Sequence, residues 1–168
     1  MPPKKRPCVA MEMAASHGAT TSNASTGPGH HASGFIQLAR RSHAASVARL
    51  CIGKLPDWRI APIVLAEQAR VALGDEVGER LSAATVAVLI GERPGLSVAD
   101  SLGIYLTWAP RRGRADSERN CISNIHAAGM SHAAASDLLV WLLREAKRRQ
   151  LTGINLKVDA SAALPPTS

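Results

Sequence analysis

Aromatic residues are scarce in this 168-residue chain, which has one Tyr, one Phe and three Trp. A core with so few rings has to be aliphatic, and the 46% hydrophobic content is mostly Ala, Leu, Val and Ile. The scarcity also removes the interleaved aromatic platform on which single-stranded nucleic acid stacks. Cysteine is sparse and scattered. Cys8, Cys51 and Cys121 make an odd count with wide spacings and no Cys-x-x-Cys. That pattern indicates neither a disulfide framework nor a zinc site, and it fits a reducing compartment. No run approaches the roughly eighteen apolar residues of a membrane span. The basic start Lys4–Arg6 is followed by no apolar h-region, so a secretory leader is not expected.

The formal net charge of +7 points at first to a polyanion partner. Its distribution argues otherwise. Residues 1–49 carry six basic residues and one acid, whereas residues 50–168 carry fourteen basic and twelve acidic ones. The excess therefore sits mainly at the front, and the foldable region is nearly neutral. A nucleic-acid binder would carry its charge on the fold.

Residues 1–34 are rich in Ala, Ser, Thr, Gly, Pro and His and poor in branched aliphatics, which reads as a disordered, low-complexity tail. Residues 159–168 read the same way. The folded domain is expected over 35–158. Residues 35–52 have helical spacing, ended by Leu55-Pro56-Asp57. Residues 60–66 read as a short strand, which Pro62 places at an edge or near a strand start. Residues 75–82 suit a short helix whose first turn holds Asp75 and Glu76. Residues 85–90 are continuously apolar, as in a strand buried on both faces, and 103–108 form another strand. Residues 133–149 form the strongest helix, with Ser131 as N-cap and Arg144, Lys147, Arg148 and Arg149 near its C-terminal end. Residues 154–158 are expected as a last strand. Strands alternating with helices predict an α/β fold with a largely parallel sheet flanked by helices.

Two clusters could carry chemistry. Gly91-Glu92-Arg93-Pro94-Gly95 leaves the end of a buried strand, where open α/β sheets bind ligands. Glu92 there is either a hydrogen-bond acceptor for a ligand or a structural partner of a nearby Arg. No Gly-Lys-Ser/Thr follows, so this is not a phosphate loop. Cys121-Ile122-Ser123-Asn124-Ile125-His126 gathers a thiol, a hydroxyl, an amide and an imidazole. Its readings are a Cys121–His126 nucleophile pair, or a free Cys packed as a small hydrophobe with Ser123 and Asn124 in a turn. Metal binding needs three or four spaced ligands. His126 and His132 have no companion, and His30-His31 lie in the tail, so no metal site is expected. Arg111, Arg112, Arg114 and Arg119 read as a solvated surface loop or as a partner-docking element.

Taken together, "RVALGDEVGERL", "VLIGERPGLSVADSLGIYLTWAPRRGRADSERNCISNIHAAGMS" and "WLLREAKRRQLTGINLK" resemble the C-terminal domain of the ethanolamine ammonia-lyase small (light) subunit, from about His43 to Lys157. The resemblance implies a Rossmann-like α/β domain. It implies a part in the adenosylcobalamin-dependent conversion of ethanolamine to acetaldehyde and ammonia. In that reaction, homolysis of the cobalt–carbon bond gives a 5′-deoxyadenosyl radical that abstracts hydrogen from substrate. It further implies a large-subunit partner, a TIM barrel that binds ethanolamine, with cobalamin held at the subunit interface. Three positions match the family's cofactor contacts: Val71 in the Arg-Val that opens the short helix region, Glu92, and Cys121. No catalytic residue is expected on this chain.

The front departs from the family. The small subunit is longer, and its strand bearing Asp-Gly-Leu-Ser has no counterpart among these residues. A sheet lacking a central strand would leave backbone unpaired, so weak stability or poor solubility is expected. The alternative reading is a truncated, non-catalytic remnant with no assembly-competent activity. Cytosol is the expected location, with a bacterial microcompartment as the other setting known for the family.

Overall fold

The run Thr85–Gly91 builds the centre of the molecule. All seven of its residues are buried, as a continuous apolar strand with both faces covered requires. The computed structural model describes residues 8–14, 43–67, 69–92 and 101–157. In chain order the elements are β1 (Cys8–Ala14), α1 (43–53), β2 (Arg59–Ile60), β3 (Val64–Ala66), α2 (Leu73–Arg80), β4 (Thr85–Gly91), β5 (Leu102–Trp108), β6 (Arg119–Ile125) and α3 (His132–Arg149).

These strands form one mixed sheet. β4, β5 and β6 are an antiparallel meander in which Val88 faces Tyr105 and Tyr105 faces Cys121. On its other side β4 pairs in parallel with β1, from Val9 opposite Thr85 to Ala14 opposite Ile90. The far edge of β1 pairs in parallel with β2 through Cys8 and Val9, and with β3 through Glu12 to Ala14. The expectation of a largely parallel, Rossmann-like sheet is therefore corrected. Short connections after β4 and β5 return the chain beside itself, and such hairpin returns produce antiparallel pairs, whereas a parallel pair needs a long crossover.

One further expectation fails at the front of the chain. Cys8–Ala14 lies in the stretch read as a disordered tail, yet it is a strand paired on both sides. It also fills the place between the edge segments and β4. The region read as strand 60–66 is an edge, as Pro62 requires, but it is broken there into β2 and β3. The remainder of 1–34, residues 35–42 of the expected first helix, Arg93, Pro94 and Gly95, and the tail 159–168 lie outside the described residues.

Alternation along β4 divides the core between two layers. Ala87 and Leu89 face α1 and α3 and pack with Ile104, Leu106, Leu139 and Leu143. Val86, Val88 and Ile90 face the other way, toward Ala61, Ala69, Val71 and Tyr105. Each fully buried aliphatic side chain contributes about 1.5–3 kcal/mol. α3 begins where the sequence predicts, with the Ser131 hydroxyl accepting from the Ala134 N–H at 3.2 Å. It ends at Gln150, which takes a left-handed conformation at φ 56°. The strand expected at 154–158 is absent among the described residues. A single 3-10 turn, Gly153–Asn155, stands there instead. Gly153 has φ +87°, and a Cβ on it would lie 2.1 Å from the Ser117 carbonyl oxygen, so only glycine fits.

The basic loop is not simply solvated. Arg112 pairs with Glu76 at 2.7 Å, and Arg114 donates to the Trp108 and Ala109 carbonyls and pairs with Glu118. Arg119 is buried and forks onto Asp75 at 2.9 and 3.2 Å, fastening α2 to β6. Burial holds the Asp75 carboxyl above its ordinary range, against the pull of Arg119 and Arg114.

Candidate functional site

The second face of the sheet carries the candidate residues. Val71 lies in the turn that leads into α2, Glu92 just past β4, Tyr105 in β5 and Cys121 in β6. Val71 and Tyr105 are both half-buried and pack against the same apolar cluster. Tyr105 lies opposite Cys121 across the β5–β6 ladder. Cys121 itself is exposed and free. Partial desolvation raises its thiol pKa; the Tyr105 hydrogen bond lowers it and the charge of Glu92 raises it. Burial likewise raises the Tyr105 phenol, followed by the influence of Cys121 and Glu92.

Glu92 follows the last residue of β4 and is fastened to Ser101, just ahead of β5, and to Asn124 of β6. Its N–H donates to the Ser101 carbonyl at 2.9 Å, and its carboxylate accepts from the Ser101 hydroxyl. The Asn124 N–H donates to both carboxylate oxygens at 3.3 Å. That N–H is aimed by a bulge. Leu102 pairs with Ile125 and Ile104 with Ile122, so Gly103 alone faces Ser123 and Asn124. Asn124 takes φ 63° there, a conformation that Asn tolerates better than most residues. The segment expected as a turn is thus a bulged strand.

His126 does not serve Cys121. Its Nε2 bonds the Asn124 side-chain oxygen at 2.6 Å, and its Nδ1 accepts from the Ala128 N–H at 3.3 Å. It braces the bulge and the turn after it, so the geometry gives no support to the Cys–His nucleophile reading. His132 has a companion that sequence spacing could not reveal. His43 of α1 lies 2.7 Å from it, nitrogen to nitrogen. No group of three or more metal-binding side chains occurs among the described residues.

The three sequence-predicted positions therefore come together around Tyr105. Val71 shares its cluster, Cys121 stands opposite it in the ladder, and Glu92 lies across Gly103 from it. A Cβ on Gly103 would lie 3.4 Å from the Glu92 Cγ and 3.5 Å from the Tyr105 ring. Sequence reasoning missed Tyr105, Gly103 and Ser101. The available signal was strand periodicity, which puts Gly103 and Tyr105 on one face. The patch can accept and donate hydrogen bonds and offers an apolar, partly aromatic surface.

Comparison with known proteins gives this geometry a context. The family described as ethanolamine ammonia-lyase light chain (EutC) matches residues 31–157. The ethanolamine ammonia-lyase small subunit of Azotobacter vinelandii is 50% identical over 134 residues, covering 79% of this chain and 50% of that protein. That of Xanthomonas campestris pv. campestris is 52% identical over 135 residues, with the same coverage. That of a Pseudomonas aeruginosa strain is 57% identical over 103 residues, 61% of this chain and 38% of the relative. The chain spans about half the length of the curated relatives it matches, or less. A match over most of its residues, at about half identity, places the chain in the ethanolamine ammonia-lyase light chain family.

Proposed function

We propose that this chain acts as the small subunit of an adenosylcobalamin-dependent ethanolamine ammonia-lyase, contributing one side of the coenzyme site at a contact with the large subunit. The observation that carries this reading is the gathering of Val71, Glu92 and Cys121 near Tyr105, at one side of the sheet. The residues suit a large planar ligand fringed with amides. Val71 offers apolar contact. Glu92 is an acceptor whose orientation is fixed by Ser101 and Asn124. Cys121 is small, polarizable and exposed, so a bulky group can come close. The bare Cα of Gly103 keeps the ground between Glu92 and Tyr105 low.

Adenosylcobalamin, when bound, supplies the radical chemistry by which ethanolamine yields acetaldehyde and ammonia. The residues of this chain bind and orient; they move no proton in the reaction. Substrate recognition belongs to the large subunit in this reading. No helix among the described residues is long and apolar enough to cross a membrane.

The test pairs the full chain with an ethanolamine ammonia-lyase large subunit and titrates adenosylcobalamin. Glu92→Ala should weaken coenzyme affinity about tenfold, the loss of one good charge-assisted hydrogen bond. Unchanged affinity would remove the basis of the proposal. The second reading is a chain without assembly-competent activity. It predicts neither association nor ammonia release on mixing with a competent large subunit.

A further inference from the structure

We infer that Gly103 and Tyr105 are two further residues of this ligand surface: Gly103 is the bare backbone over which the ligand lies, and Tyr105 is its floor and the positioning residue for Cys121. The inference rests on the coenzyme reading above and extends it to residues which that reading does not assign.

The fold does not itself demand glycine at 103. Only Gly113 and Gly153 among the described glycines have positive φ. A methyl group at 103 would meet its neighbours at 3.4–3.5 Å, which is ordinary van der Waals contact. The neighbouring bulge is absorbed by β6, where Asn124 takes the left-handed conformation. Glycine inside a strand is destabilising by roughly 0.5–1 kcal/mol relative to alanine. A glycine that neither conformation nor crowding requires marks a place where something approaches the backbone closely. Here that place lies between a carboxylate and an aromatic ring.

Tyr105 is the sole tyrosine of the chain. It stands half-buried on the open face, where a purely structural position would be filled as well by Leu or Phe. It stands directly opposite Cys121 in the β5–β6 ladder, so its ring flanks a side chain which is otherwise exposed. The ring and the sulfur together present a polarizable surface beside Val71, suited to a flat conjugated ligand.

The experiment has two arms on the full chain. In the first, adenosylcobalamin is titrated against wild type, Glu92→Ala, Gly103→Ala and Tyr105→Phe, each mixed with the large subunit. Gly103→Ala should leave the unfolding midpoint of the chain unchanged or raised, yet weaken coenzyme affinity about tenfold. A lowered midpoint would show that the fold needs the glycine, and would overturn its assignment to the ligand. Loss of affinity in Glu92→Ala without loss in Gly103→Ala or Tyr105→Phe overturns this inference and leaves the coenzyme reading standing. No effect in Glu92→Ala sinks the coenzyme reading itself. The second arm needs no coenzyme. Alkylation of Cys121 by iodoacetamide, followed by peptide mass spectrometry, should be about twofold slower or more in Tyr105→Phe and faster in Glu92→Ala, because thiolate is the reactive form. Equal rates in wild type and Tyr105→Phe would remove Tyr105 as the residue that positions Cys121.

Discussion

The Asp75–Arg119 pair offers a sharp test of how α2 is attached to the sheet. Both side chains are only 3% exposed, and the guanidinium binds both carboxylate oxygens. Replacing Arg119 with Met strands the carboxylate in the interior and removes a donor from the Arg114 carbonyl. Breaking one side of a buried ion pair is worth about 3–5 kcal/mol. With a urea dependence of about 2 kcal/mol per molar, the midpoint should fall by roughly 2 M. Asp75→Leu should do similar damage by leaving Arg119 unpaired. The double replacement, Asp75→Leu with Arg119→Met, removes both charges, and its midpoint should lie above that of either single variant. The raised Asp75 pKa points the same way, since desolvation there outweighs the attraction of Arg119. Far-UV circular dichroism and tryptophan fluorescence of the full chain in urea would read all four proteins. If the double variant lost as much as the two single losses added together, the pair would not be the coupled, desolvated unit described. An Arg119→Met midpoint within about 0.5 M of wild type would refute the magnitude.

Two other outcomes follow from single residues. Burial, and then the neighbouring His43, lower His132 from its ordinary value of 6.5. The unfolded chain therefore takes up the proton first as pH falls, so stability should decline below about pH 6.5. His132→Gln should flatten the fall in melting temperature between roughly pH 7 and pH 5, and an unchanged slope would show that this pair is not its source. Gly153→Ala should lose about 2–4 kcal/mol through the positive φ and the clash with Ser117, read as a lowered urea midpoint; a loss under about 1 kcal/mol would contradict the tight fit.

Much of the fold could be read from the order of residues. β4 announces itself by an unbroken apolar run, α3 by its stripe and its Ser131 cap, and the edge position of β2 and β3 by Pro62. β1 could not be read. Its sequence, CVAMEMA, is rich in Ala, Met and Glu, which favour helix in isolation. It becomes a strand because β4 and the edge segments both offer unpaired backbone to it, a tertiary demand that local propensity cannot signal. The same limit explains the mistaken sheet direction, since pairing is a relation between segments.

Within the site, the resemblance to the family pointed to Val71, Glu92 and Cys121, and the strand register is what sets Tyr105 beside Cys121. Arg119 looked like one more surface charge until its partner forty-odd positions upstream was known. No spacing rule connects it to Asp75. The pairing of His43 with His132 is hidden for the same reason, being created by the docking of α1 against α3.

The placement of β1 has a consequence for how the chain reaches its native state. β1 finds its longest partner, β4, only after the intervening helices and edge segments have been synthesised. The meander β4–β5–β6 and α3 are joined by near neighbours and can organise early, whereas the opening segment must wait and close a long loop. Until it does, the flank of β4 is a bare template, open to the wrong strand or to another molecule. Folding should therefore be most vulnerable at β1, where a proline that breaks its pairing with β4 would delay the closing of the sheet.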